Sequence, residues 1–140
     1  MQITKLITKE DNKSYFVDIE IENKHEHPLG QYTERLPASS ITFREFKPGA
    51  NFDWHTAPQI QYIIYLSGEV EVQTSGGETR VFKAGDILLA ADLTGQGHIT
   101  KTLTAGTSII VTEDLKFYPK QDAAVEDNLG SGDLINRMKL

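Results

Sequence analysis

The chain has 140 residues, with 14 lysine and arginine side chains against 20 aspartates and glutamates, which gives a formal net charge of −6. This length suits one domain with a packed core, and we expect a single domain over residues 1–140. No window clusters basic with aromatic side chains, so we expect no nucleic-acid partner. The chain has no cysteine, which excludes disulfides, thiolate metal ligands and cysteine nucleophiles.

The apolar runs of the chain are short. The longest ones, such as residues 87–91 and 109–111, fall far below the roughly 20 residues that a helix needs to span a bilayer. The N-terminal segment alternates polar with apolar residues and lacks the apolar stretch of a signal peptide. We therefore expect a cytoplasmic protein with no membrane partner.

Alternation of polar and apolar residues dominates from residue 2 to about residue 112, which predicts an all-β fold. Residues 2–21 are typical of a hairpin, with a turn at residues 10–13, and residues 22–37 are polar and irregular. Further strands are predicted at residues 41–47, 52–56, 61–67, 69–75, 79–82, 87–91, 98–103 and 108–112. Short strands separated by glycine-containing turns favour a small barrel or jelly roll.

The character of the chain changes after residue 119. Residues 121–128 are polar and tolerate a helix, residues 130–132 interrupt it, and Asp133 is a suitable cap for a short helix over residues 134–140. Because so short a helix is unstable alone in water, we expect it to pack on its own barrel or on a partner subunit, or to fray.

Two segments of the chain share a pattern of spaced glycines and histidines. The first contains, in order, Gly49, His55, Ala57, Gln61 and Gly68. The second contains, in order, Gly85, residues 93–95 with their glycine, His98 and Thr102.

This pattern resembles the double motif of the cupin superfamily, and the resemblance covers roughly residues 38–112. It implies a cupin-type double-stranded β-helix, or jelly-roll barrel, preceded by the N-terminal hairpin and followed by a short C-terminal helical tail. The core barrel would occupy about residues 38–112 and the C-terminal extension about residues 115–140. The resemblance also implies a homodimer with a small polar metabolite in the barrel.

In metal-bearing cupins the first motif supplies two histidines and a glutamate, and the second supplies one more histidine. Carried over, this chain keeps His55 and His98, has Gln61 in place of the carboxylate, and has Ala57 in place of the remaining histidine. A neutral amide attracts a divalent cation less than a carboxylate does. The resemblance therefore implies a reduced metal site of His55, Gln61 and His98 for Zn, Ni or Fe, with water at the open positions.

Two alternatives to the metal site remain open. In the first, a histidine works as a general base without metal, since the ordinary histidine pKa suits proton transfer at neutral pH. Some metal-free cupin sugar epimerases are similar in pairing a histidine with a carboxylate and a tyrosine acid. The candidates for these partners are Asp53, Asp92, Tyr62 and Tyr65. In the second alternative, both histidines are hydrogen-bonded pocket or core residues without a chemical role.

Three further features have candidate roles. Tyr65 shares strand parity with Gln61, so it is expected either to line the pocket or to belong to the core. Arg44, on the preceding strand, could clamp a carboxylate or phosphate, although its position favours solvent exposure. His25 and His27 have the spacing of two ligands on one face, but their polar neighbours favour a solvated loop.

The leading hypothesis is a small-molecule enzyme of the isomerase, epimerase or oxygenase kind. His55, His98 and Tyr65 are its candidate catalytic residues, and Gln61, Tyr65 and Arg44 are its candidate substrate-binding residues. The alternative is a non-catalytic cupin that binds a small metabolite or a sugar, because a fold alone does not determine a function.

Overall fold

A computed structural model describes residues 1–115 of the chain, and these residues form strands joined by turns and loops. The strands are β1 Gln2–Thr8, β2 Ser14–Glu20, β3 His25–His27, β4 Gly30–Tyr32, β5 Ala38–Phe46, β6 Asn51–His55, β7 Gln61–Ser67, β8 Glu69–Thr74, β9 Thr79–Lys83, β10 Ile87–Ala90, β11 His98–Thr102 and β12 Gly106–Glu113. The all-β prediction is confirmed. The predicted helix at residues 134–140 lies outside the described residues.

The strands form two facing sheets and one small hairpin. The larger sheet has the order β2-β1-β10-β7-β12-β5, the smaller has the order β6-β11-β8-β9, and β3 pairs only with β4. From β5 to β12 the chain passes repeatedly between the larger and the smaller sheet, which is the winding of a jelly roll. Strand β1 joins this barrel by parallel pairing with β10 and antiparallel pairing with β2, which confirms the N-terminal hairpin.

The core lies between the two sheets. Its buried members are Leu6, Phe16, Tyr65 and Leu88 from the larger sheet and Val70, Val72 and Phe82 from the smaller one. The Phe82 ring packs against both Tyr65 and Phe16, with ring centroids 5.4 and 5.8 Å apart. Burying each large apolar side chain contributes about 1.5–3 kcal/mol, so this cluster holds the two sheets together.

A second apolar cluster lies on the opposite face of the larger sheet. It consists of Ile3, Ile19, Ile21 and Leu89, with Tyr62 packed against them. Successive side chains of a strand point to opposite faces, so Tyr62 points away from the barrel interior that Gln61 and Ile63 face. Tyr62 is therefore not the acid of a site inside the barrel.

The segment between β2 and β5 contains the β3–β4 hairpin, which the sequence predicted only as an irregular region. Every residue of both strands is exposed. The His27 and Tyr32 rings stack across the hairpin with centroids 5.4 Å apart. In the part of the chain that the structure describes, no helix is long and apolar enough to cross a membrane. The cytoplasmic location stays a prediction.

Candidate functional site

A pocket of about 380 Å³ opens between the two sheets, on top of the core. Its floor includes the core residues Tyr65, Val72 and Leu88, so the pocket is shaped by packed side chains. Its lining residues are Arg44, Phe46, Ala50, Asn51, Phe52, His55, Ala57, Pro58, Gln61, Ile63, Tyr65, Val72, Leu88, Ala90, His98, Thr100 and Thr102. The structure thus brings together all five side chains that the sequence selected as catalytic, substrate-binding or metal-ligating.

The two motif histidines are neighbours across a pair of antiparallel strands. His55 ends β6 and His98 begins β11, and the two residues are directly paired in the ladder. Their ring centroids are 4.3 Å apart, with the ring planes inclined by 57°. The convergence that the cupin resemblance implies for these two residues is therefore present.

His98 is held by a buried carboxylate. Its Nδ1–H donates a hydrogen bond of 2.6 Å to Oδ2 of Asp92, whose side chain is fully buried. The backbone carbonyl of Asp92 accepts a hydrogen bond from the amide of Ala57, which ties the Asp92 loop to the first motif. A carboxylate oxygen accepts and does not donate, so Nδ1 carries the proton and Nε2 of a neutral His98 keeps its lone pair.

The second carboxylate oxygen of Asp92, Oδ1, is buried and accepts no hydrogen bond from residues 1–115. Burying a charged oxygen without a partner costs free energy. The Asp92 charge is therefore directed largely at one imidazole. This hydrogen bond fixes the orientation of the His98 ring.

His55 is oriented in a different way. Its Nδ1–H donates a 2.8 Å hydrogen bond to the backbone carbonyl of Asp53, and its ring lies 3.8 Å from the parallel Phe52 ring. Burial lowers the pKa of His55, and a positive charge on His98 would lower it further, although the Asp53 carbonyl and Asp92 oppose this shift. At neutral pH His55 is therefore an uncharged imidazole with a free Nε2 lone pair.

Gly97 controls the approach of the strands that carry the histidines. Its φ is +75°, a left-handed conformation that side chains other than glycine rarely adopt. A Cβ atom at this position would collide with the His55 carbonyl oxygen. The close contact between the two motifs at the histidine pair therefore requires glycine.

Arg44 and Tyr65 form a polar corner of the pocket. The Nε–H of Arg44 donates a 2.9 Å hydrogen bond to Oγ of the buried Ser108. Burial raises the pKa of Tyr65 well above its usual range, and the neighbouring Arg44 guanidinium offsets only part of that rise. Tyr65 is therefore a neutral hydroxyl at physiological pH. Arg44 is half-buried, so the expected solvent exposure holds only in part, and the Ser108 hydroxyl holds its guanidinium beside the pocket.

The donor set of the pocket does not match that of a metal-bearing cupin. Two imidazoles and the neutral amide of Gln61 line the pocket, while Ala57, only 4% exposed, contributes a methyl group where a third imidazole would stand. Within residues 1–115, no three histidine, cysteine, aspartate or glutamate side chains form a group able to hold a metal ion. The reduced metal site of His55, Gln61 and His98 stays a prediction.

The remaining sequence candidates lie outside the pocket lining. Asp53 contributes its backbone carbonyl to His55, while its carboxylate accepts a hydrogen bond from the backbone amide of Trp54. His25 and His27 lie on the exposed hairpin, and His25 is 3.2 Å from Glu34, so the solvated interpretation was correct for them. Asp92 was one of four candidates as a partner, and no spacing signal in the sequence linked it to His98.

Comparison with known proteins identifies a family. Residues 38–127 match the profile of the EutQ-like cupin domain, which is more than half of the chain. "Oryzines biosynthesis cluster protein J" of Aspergillus oryzae is 28% identical over 72 residues, which cover 45% of this chain and 40% of that protein. The chain therefore spans less than half the length of this curated relative.

Solved structures of low sequence identity also match. A conserved protein of unknown function, SPY1581 from Streptococcus pyogenes, is 19% identical, with coverage of 64% of this chain and 72% of that chain and a TM-score of 0.46. An RmlC-like cupin protein from Desulfovibrio desulfuricans is 17% identical, with coverage of 80% and 81% and a TM-score of 0.42.

Proposed function

We propose that this chain, which belongs to the EutQ-like cupin domain family, is an isomerase or epimerase of a small polar metabolite with His98 as its general base. The observation that carries the proposal is the 2.6 Å hydrogen bond between His98, which lines the pocket, and the fully buried Asp92, which does not. A histidine fixed by a carboxylate, with its other nitrogen left for a ligand, is the arrangement that proton transfer requires.

The proposed reaction begins at a carbon next to a carbonyl or carboxyl group of the metabolite. Nε2 of His98 takes the proton from this carbon, the C–H bond breaks, and its electron pair moves onto the adjacent oxygen. Asp92 stabilises the imidazolium that forms. Return of this proton from His98 to a neighbouring atom gives an isomer. An epimer forms when a proton from solvent adds to the opposite face of the same carbon and His98 releases the proton it took up to solvent. Neither outcome consumes a co-reactant.

The other polar groups of the pocket support this step. His55 has a lowered pKa, so it adds no positive charge that would compete with the protonation of His98. The Tyr65 hydroxyl keeps its proton because its pKa is raised, so it is able to donate a hydrogen bond to a developing oxyanion. Gln61 lines the same pocket and offers an amide for substrate hydrogen bonds.

The competing function is a cupin that binds a small metabolite without turnover. The test is hydrogen exchange with solvent, because it detects removal of the carbon-bound proton before any product is known. The protein would be incubated in D2O with small keto acids, hydroxy acids and keto sugars, and loss of C–H signals would be followed by NMR. We expect exchange with wild-type protein and a loss of about 100-fold or more in His98→Gln.

His25→Gln is the matched control, since it removes an exposed histidine that does not line the pocket. It should exchange at the wild-type rate. Unchanged exchange in His98→Gln would overturn the proposed base. A metabolite that binds wild-type protein and never exchanges would favour the binding function instead.

A further inference from the structure

The charge of the pocket lining is opposite in sign to the net charge of the protein. The chain carries 20 acidic side chains and a net charge of −6, yet no aspartate or glutamate within residues 1–115 lines the pocket. The lining instead includes one permanent cation, Arg44, and two imidazoles. A low-dielectric cleft lined by one sign of charge attracts a ligand of the opposite sign.

Arg44 is fixed in place and carries an unneutralised charge. Its Nε–H is bonded to Ser108, which faces it across the β5–β12 ladder, and its guanidinium lies 5.6 Å from the centroid of the Phe46 ring. Among residues 1–115, no acidic side chain forms an ion pair with Arg44. A partly buried charge without a counter-charge costs free energy, which a bound anion would recover.

We propose that Arg44 binds the carboxylate of the metabolite, so that the ligand of this pocket is a small carboxylic acid in its anionic form. The inference rests on the proposed function and specifies its substrate class. The guanidinium also hydrogen-bonds the Tyr65 hydroxyl, and its remaining terminal N–H groups are donors for the oxygens of a carboxylate. The pocket volume of about 380 Å³ is near the lower end of the usual range for ligand pockets, which suits one small metabolite.

A carboxylate fits this corner better than a phosphate does. A phosphate dianion generally binds where several N–H donors or cations converge, as at helix N-termini or backbone nests. Here a single guanidinium is available, and no lysine of the described part of the chain lines the pocket. The Arg44 charge would also stabilise the negative charge that develops when a proton leaves the carbon next to the bound carboxylate.

The experiment is a titration followed by NMR signals of the Arg44 Nε–H group and the histidine rings. The probes are acetate, lactate, pyruvate and succinate, the primary amides of these acids as neutral analogues, and inorganic phosphate. We expect at least one carboxylate to give saturable shifts that its amide does not give. Because Arg44→Met removes charge-assisted hydrogen bonds, we expect it to bind that carboxylate about 10- to 100-fold more weakly than wild type does.

Arg80→Met is the matched control, because it removes the same guanidinium from a residue that is paired with Asp18 at 2.6 Å and does not line the pocket. Its affinity for the carboxylate should equal that of wild type. Arg44→Lys, which keeps the charge and loses the planar fork, should bind with intermediate affinity, and it replaces Arg44→Met if that variant does not fold.

Three results would overturn the inference: equal binding by wild type and Arg44→Met, equal binding of an acid and its amide, or tighter binding of phosphate than of every carboxylate. Its failure is distinguishable from failure of the proposed function. Carboxylate binding through Arg44 without solvent exchange refutes the isomerase and leaves the inference standing. Exchange that requires His98, together with unchanged affinity in Arg44→Met, refutes the inference alone.

Discussion

At the scale of single residues, the site depends on which nitrogen of each histidine is already occupied. Nδ1 of His98 is bonded to Asp92 and Nδ1 of His55 to the Asp53 carbonyl, so both rings keep Nε2 for a ligand. The Nδ1 partners of the two rings differ in charge, because that of His98 is a buried carboxylate and that of His55 is a neutral backbone carbonyl. In the proposed function, the carboxylate-bound His98 takes up the proton, and His55, whose pKa is lowered by burial, is its neutral neighbour.

The lowered pKa of His55 predicts how the stability of the folded state depends on pH. The folded state binds the His55 proton less readily than the unfolded state, so folding stability falls as the pH drops below the usual histidine value of 6.5. As the pH falls below 6.5, the free energy of unfolding of His55→Gln should decrease less than that of wild type. Urea denaturation of both proteins between about pH 5 and pH 8 measures the effect. Parallel stability curves for the two proteins would contradict it.

The raised pKa of Glu113 predicts the opposite dependence of folding stability on pH. Its side chain is buried, and this burial raises its pKa, while a hydrogen bond from the Tyr62 hydroxyl offsets part of that rise. The folded state therefore binds this proton more tightly than the unfolded state does. Stability should fall as the pH rises above the usual glutamate value of 4.5.

Glu113→Gln should accordingly raise stability relative to wild type more at pH 7 than at pH 5, because the amide does not ionise as the pH rises. Thermal or urea denaturation at pH 5 and pH 7 measures the change. The exposed Glu45 of β5 provides the control, and Glu45→Gln should leave stability unchanged. A destabilised Glu113→Gln at pH 7 would show that the ionised carboxylate contributes to stability.

At the scale of elements, the strand bounds were largely predictable. Alternation and turn glycines placed β7 at its observed bounds and most other strands within one or two residues of theirs. The β3–β4 hairpin was missed because its residues are exposed and show no apolar alternation. Periodicity detects burial, and a strand without a buried face gives no such signal.

The candidate site was predictable only in part, for reasons that concern tertiary structure. The motif glycines located His55 and His98, whereas Asp92 lies in the loop between β10 and β11, whose path depends on contacts far along the chain. The orientation of Arg44 depends on the buried Ser108, which is 64 residues away in sequence. Local patterns carry no information about such pairs.

Gly97 provides a test of how the elements position the site. Gly97→Ala should destabilise the fold by roughly 1–3 kcal/mol and move β11 away from β6, because its backbone conformation is left-handed and its Cβ would collide with the His55 carbonyl. Gly77→Ala is a matched control, since Gly77 also has a positive φ but a Cβ there would meet no atom within 4 Å. The Gly77→Ala variant therefore has the backbone strain of a positive φ but no steric collision.

Denaturation together with the histidine ring signals in NMR measures both effects. We expect the ring signals of His55 and His98 to shift in Gly97→Ala and to keep their wild-type positions in Gly77→Ala. Equal loss of stability in the two variants, with unchanged ring signals in both, would show that the close approach at Gly97 does not position the site.

At the scale of the whole molecule, the homodimer stays a prediction. On β5, which within residues 1–115 pairs with β12 alone and so forms one edge of the larger sheet, Ile41 and Phe43 are 58% and 74% exposed. Exposed apolar side chains on an edge strand are suited to contact with a second copy. We propose that light scattering will give the mass of a dimer for wild type and of a monomer for Phe43→Ser. A monomeric wild type would refute this proposal.

We propose that Asp92 makes His98 a general base inside the cupin barrel and that this base needs no metal. The most direct measurement is the rate of solvent hydrogen exchange into a bound metabolite, compared between chelator-treated wild type and chelator-treated Asp92→Asn. We predict that the wild type keeps its rate after chelation and that Asp92→Asn loses about 100-fold or more while still binding the metabolite. Exchange that chelation abolishes and Zn, Ni or Fe restores, or an Asp92→Asn rate equal to that of wild type, would contradict the claim.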